Sequence, residues 1–150
     1  MTETALVLAI VAGLSASGLG LLGWRVVRTD PEAPERMIGE LRLAQLAAVL
    51  LAAIGGVSIG LAVAAPPQPG TGLDASMGAV FAMIGMLVLL REPRDALLLA
   101  AAGFLLHALF DLAHRPGWLR TDLAPRWYLI AKPLFDLYAA GLCYWARRRP

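Results

Sequence analysis

The sequence predicts an all-α polytopic membrane protein, a bundle of five transmembrane helices. Three observations carry that expectation. Of the 150 residues 59% are hydrophobic and only 16% charged, a balance outside ordinary soluble usage. Five apolar stretches approach the ~20 residues that a helix needs to cross a hydrocarbon core of about 30 Å. Short segments rich in Pro, Gly and charge separate them. Backbone polar groups cannot be left open in lipid, so helix is the expected form for each stretch.

The first stretch spans residues 5–27. Only Thr2, Glu3 and Thr4 follow Met1 before it, so it lacks a basic leader, and it is longer than a signal-peptide core. It is therefore expected to be a retained helix. The loop at 29–40 holds Pro31 and Pro34, and Asp30-Pro31 reads as a helix start by its cap and first-turn chemistry. The second stretch spans 43–65 and is closed by the PPQPGTG breaker at 66–72. The third, 75–90, is short and would either extend to Leu73 or thin the bilayer locally. A tight REPRD turn leads to the fourth, 96–114, and a loop with Pro116, Gly117 and Pro125 leads to the fifth, 127–146.

Orientation follows from arginine. Arg25, Arg28, Arg36, Arg42, Arg91, Arg94, Arg147, Arg148 and Arg149 fall on one side of a five-span arrangement, and Arg115, Arg120 and Arg126 on the other. The positive-inside rule puts the first group in the cytoplasm, the amino terminus outside and the carboxyl terminus inside. Trp24, Tyr144 and Trp145 would mark the inner interface, and Trp118, Trp127 and Tyr128 the outer one. The expected location is the inner (plasma) membrane, with multiple passes.

Several function classes are excluded. A formal charge of +2 without a basic, aromatic-interleaved patch gives no basis for nucleic-acid binding. The single Cys143 allows no internal disulfide and no Cys-rich metal site, and it reads as a small packing residue. No P-loop, GxGxxG or CxxCH occurs. The bilayer is the expected partner. In the second span Ala52, Gly56, Gly60 and Ala64 recur every fourth residue, a stripe that lets another helix approach closely. Packing inside the bundle is the plainer reading of Gly56 and Gly60; contact with a second copy or a membrane-complex subunit is the other. Met77, Met83 and Met86 read as packing rather than as copper ligands.

The chemistry is concentrated in the last third. His107, Asp111 and His114 stand at i, i+4 and i+7, on one face of the fourth helix. Lys132, the only lysine, and Asp136 share a face of the fifth. At a rise of about 1.5 Å per residue, His107 lies roughly 16 Å from the inner end of its helix. Lys132 and Asp136 lie roughly 8 and 14 Å below the outer end of theirs. Asp136 is then level with His107, and Lys132 with Asp111. A charge at such depth costs about 2.5–3.5 kcal/mol even on the lenient insertion scale. Pro133 lacks an N–H, which leaves the Leu129 carbonyl without its helical donor beside Lys132.

Three readings of this cluster stay open. His107, Asp111, His114 and Asp136 can ligate a divalent metal such as zinc, iron or manganese, which would activate a small molecule for attack on a lipid-soluble substrate. The same groups can carry protons or ions. Or Asp111–Lys132 and His107–Asp136 pair and pin the two helices, as in a noncatalytic subunit or scaffold. The cationic Lys132 counts against a dication unless it binds the substrate. The run HALFDLAH, then PRWY, then an Asp in the last helix resembles a group of small bacterial integral membrane proteins without an assigned function. It covers about a third of the chain, through His107, Asp111, His114, Trp127, Tyr128 and Asp136. The resemblance implies a membrane location and a shared polar motif, and no reaction.

Overall fold

A computed structural model describes residues 3–64, 70–113 and 126–148. Among the described residues the chain forms five α-helices: α1 Glu3–Arg28, α2 Pro34–Ala64, α3 Thr71–Leu89, α4 Pro93–Ala113 and α5 Arg126–Arg148. Four of them, α1 to α4, are long and apolar enough to cross a membrane. Large apolar side chains are exposed on every helix, among them Leu14, Val49, Met86, Leu109 and Leu134. Soluble monomers rarely tolerate apolar exposure on that scale. Length, composition and an apolar exterior together mark a membrane protein. α5 does not reach the same apolar level, because Lys132 and Asp136 interrupt it and arginines stand at both ends.

The helix boundaries differ from the apolar stretches where polar residues continue a helix. α2 begins at Pro34, which occupies the first turn without needing an N–H partner. Asp30-Pro31 belongs to the turn before it and is not the helix start. There the Glu32 N–H donates to Asp30 Oδ1, and Ala33 N–H to the Asp30 carbonyl. With 31 residues α2 is about 46 Å long, more than the hydrocarbon core needs. Its first turns therefore project beyond the apolar layer. α3 starts at Thr71, after Gly70 in the left-handed region at φ 96°, so the short third stretch becomes a helix of about 28 Å.

Successive helices alternate in direction. The ends of α1 and α5 meet the starts of α2 and α4, because Arg36 donates to the carbonyls of Thr29 and Ala146 while Glu40 pairs with Arg94. Arg25, Arg28, Arg36, Arg42, Arg91, Arg94, Arg147 and Arg148 thus gather at one end of the bundle. Trp24 under Arg28 and Tyr144 under Arg148 lie at the same end.

The tightest packing is between α2 and α3. A methyl placed on Gly55 would strike the Gly78 carbonyl and lie 2.8 Å from Ala82 N, and one on Gly85 would lie 2.7 Å from the Ala48 carbonyl. The expectation that Gly56 and Gly60 carry packing within the bundle is corrected by this register. Both face outward, with nothing within 4 Å of an added methyl. The seam with α3 runs along Ala48, Ala52, Gly55 and Ile59, so that Gly55 takes the place expected of Gly56. Met83 and Met86 also face outward, while Met77 packs against the core. Behind the seam α4 buries Leu97, Ala100, Phe104 and Ala108, and α5 lies along α4. Gly103 admits Leu51 of α2 and Ile84 of α3. Cys143 is fully buried among these apolar residues.

α1 packs unevenly. Its second half meets the bundle through Gly20 against Tyr138, Gly23 against Leu142, and buried Leu19 and Val26. Tyr138 also donates its hydroxyl to the Ala16 carbonyl, tying α5 to α1 beyond simple packing. In the first half Leu6, Val7, Ile10, Val11 and Leu14 are exposed, and Gly13 touches nothing. A wedge of space opens there.

Candidate intramembrane polar site

α4 presents His107 and Asp111 one turn apart, and antiparallel α5 presents Lys132 and Asp136 in the reverse order. Equal steps on facing helices make both pairs meet. His107 Nδ1 lies 2.6 Å from Asp136 Oδ2, and Lys132 donates to Asp111 Oδ1 at 2.9 Å. His107 Nδ1 also lies 3.5 Å from Asp111 Oδ2. The four side chains thus form one chain: Asp136, His107, Asp111, Lys132.

Burial along this chain is graded. His107 and Asp136 are 0% exposed and Asp111 7%, whereas the Lys132 side chain reaches 14%. Phe81 of α3 packs edge-on against the His107 ring at 4.5 Å, and Phe104 stacks edge-on against Phe135. These rings exclude lipid and water, which strengthens each polar contact and raises the cost of an unmet one.

Charge is not balanced by the pairs alone. Two carboxylates and one ammonium leave −1 when His107 is neutral. A proton on His107 brings the sum to zero, and a divalent ion would bring it to +1 beside the ammonium. Among the described residues Asp111 Oδ2 and Asp136 Oδ1 have no hydrogen-bond partner. Among the described residues His107, Asp111 and Asp136 each offer a ligand atom, all within 4.8 Å of one another, a grouping that could hold a metal ion. His114, also expected there, lies outside the described residues. So do Trp118, Arg115 and Arg120, and nothing is described of the Tyr128 side chain.

The exposed end of the chain meets a cavity of about 150 Å³. It lies between the splayed half of α1, the middle of α2 and the first half of α5. Val11, Leu50, Ile54, Trp127 and Phe135 give it an apolar wall, in which Ser15 and Lys132 are the main polar groups. The polar pattern alone points to a pocket between the fourth and fifth helices; this cavity is lined instead by α1, α2 and α5. Its cause is the uneven packing of α1, which single-helix patterns do not reveal.

A second buried polar group was also missed. Arg36 and Glu40 are 2% and 3% exposed, joined at 3.0 Å one turn apart. Arg94 reaches the other Glu40 oxygen at 3.5 Å. With the two carbonyls that Arg36 binds, they clasp α1, α2, α4 and α5 at the arginine-rich end. The signal was present in the i, i+4 pair of PERMIGELR. It was obscured because the apolar stretch begins only at Leu43. Asp74, in the first turn of α3, is buried as well, where the positive end of the helix favours a carboxylate.

No family model, curated protein or solved structure matches the chain.

Proposed function

We propose that this is a five-span protein of the plasma (bacterial inner) membrane that takes a lipid-soluble ligand from the bilayer and holds it at Lys132. Behind the ligand, Asp111, His107 and Asp136 form a buried proton-holding relay. The arginine-rich end faces the cytoplasm, as the positive-inside rule requires. α5, about 34 Å long, crosses with its polar face turned to α4.

One observation carries the reading: the cavity and the graded polar chain meet at one residue, Lys132. A purely structural pair needs no cavity, and a packing defect needs no ionisable group in its wall. The relay can accept one proton without leaving net charge in the apolar layer, which is the state of lowest electrostatic cost. The splayed half of α1 gives a lateral path from lipid. Native mass spectrometry of protein released from lipid discs tests this. Wild type is expected to retain one small non-phospholipid molecule, and Ala12→Phe and Ala131→Phe, which fill the cavity from opposite walls, are expected to lose it. Identical retention in all three would refute the reading.

A second reading is favoured by Asp111 Oδ2 and Asp136 Oδ1, which lack donors among the described residues. A divalent ion held by His107, Asp111 and Asp136 would occupy both. Elemental analysis decides it: one metal per chain, lost in His107→Ala, supports the ion, and a substoichiometric content unaffected by that change ends it.

A further inference from the structure

The ligand class can be narrowed by size and charge, an argument that rests on the reading above. A cavity of about 150 Å³ is the size at which an apolar protein site admits a single benzene-sized ring. The space is too small for a folded acyl chain, and the exposed side chains of Val11, Val57 and Trp127 at its rim leave a way out to lipid. A ring inside and a tail outside fit this shape.

Charge decides what the ring carries. An ammonium has three N–H donors and accepts nothing, so Lys132 requires an acceptor from the ligand. One donor already goes to Asp111 at 2.9 Å. The remaining two point to an oxygen. A carboxylate or phosphate would add negative charge to a cluster that already sums to −1 or zero, in a layer where net charge is costly. An uncharged carbonyl or hydroxyl oxygen takes the same hydrogen bond without that cost. Ser15, on α1, supplies a hydroxyl for a second oxygen. We propose that the cavity binds an uncharged six-membered ring bearing a carbonyl or hydroxyl oxygen on an apolar tail, the chemistry of a quinone-type lipid headgroup, with that oxygen bonded to Lys132.

Three probes, each built on a ten-carbon chain, separate the possibilities: a decyl-benzoquinone, decanoate and decylbenzene. Binding is measured by equilibrium dialysis on full-length protein in lipid discs. The benzoquinone is expected to bind about tenfold or more tightly than decylbenzene, the worth of one charge-assisted hydrogen bond. It is also expected to exceed decanoate. Asp111→Asn/Lys132→Met, which removes both charges together and strands neither partner, is expected to level the benzoquinone with decylbenzene, its fold being checked by circular dichroism on the same sample. Ala131→Phe is expected to weaken all three. Tightest binding of decanoate, or equal binding of the two ring probes to wild type, overturns this inference while leaving a ligand cavity in place. Failure of every probe to bind, or binding unaffected by Ala131→Phe, overturns the inference and the cavity reading together.

Discussion

Replacing Lys132 with Met removes the only ammonium of the buried chain. The geometry sets the size of the effect. Lys132 Nζ and Asp111 Oδ1 are 2.9 Å apart, with side chains 14% and 8% exposed. At an effective dielectric near 20 their gross attraction is about 6 kcal/mol, before the cost of taking both out of water. Breaking a buried pair by removing one partner costs about 3–5 kcal/mol. The two single variants should differ. Lys132→Met leaves Asp111 and Asp136 together, with His107 as the only cation former, and is expected to cost the full 3–5 kcal/mol. Asp111→Asn leaves Lys132 and Asp136 as opposite charges and keeps the His107–Asp136 bond, so a loss of about 1–3 kcal/mol is expected. The double variant should lose less than the sum of the two single losses, by a coupling of about 0.5–3 kcal/mol. Reversible unfolding by SDS titration in mixed micelles, read by circular dichroism, measures all four proteins. Strictly additive losses, or a larger loss for Asp111→Asn than for Lys132→Met, would refute the charge accounting.

Other predictions rest on separate parts of the bundle. Gly55→Ala pushes a methyl into the backbone of α3 and is expected to cost about 1–3 kcal/mol, whereas Gly56→Ala, one residue on, should stay within about 0.5 kcal/mol in the same titration. Arg36→Met leaves the buried Glu40 with only the half-exposed Arg94 and should cost about 3–5 kcal/mol. Arg94→Met should cost under about 1 kcal/mol, since that side chain is 55% exposed. A reporter fused after Pro150 should report cytoplasm and one fused before Met1 the exterior; matching locations for the two ends would contradict five spans.

The sequence made the helices and the polar pairs readable for a simple reason. Apolar runs broken by Pro and Gly are local signals, and α-helical spacing fixes which side chains share a face. Depth counting alone set His107 level with Asp136 and Lys132 with Asp111, because two antiparallel helices joined by one loop leave few registers. Features that depend on a third helix were not readable. Gly55 and Gly56 are equally small, and only the position of α3 decides which one is buried. Arg36 and Glu40 looked like a solvated loop because apolar content marks the lipid layer and not the helix end. The cavity depends on where α1 leaves the bundle, and nothing in residues 5–27 encodes a neighbour's absence.

On the proposed function, the four side chains from Asp136 to Lys132 serve a ligand and do more than hold α4 against α5. Ligand retention by the Asp111→Asn/Lys132→Met protein tests it most directly, because that variant removes the polar contact without stranding either partner's charge. Native mass spectrometry from lipid discs, with stability checked on the same sample, is the measurement. The variant is expected to stay folded and no longer to retain the small molecule found on wild type. A stable double variant that retains it at the wild-type level would show that the buried charges only fix helix packing.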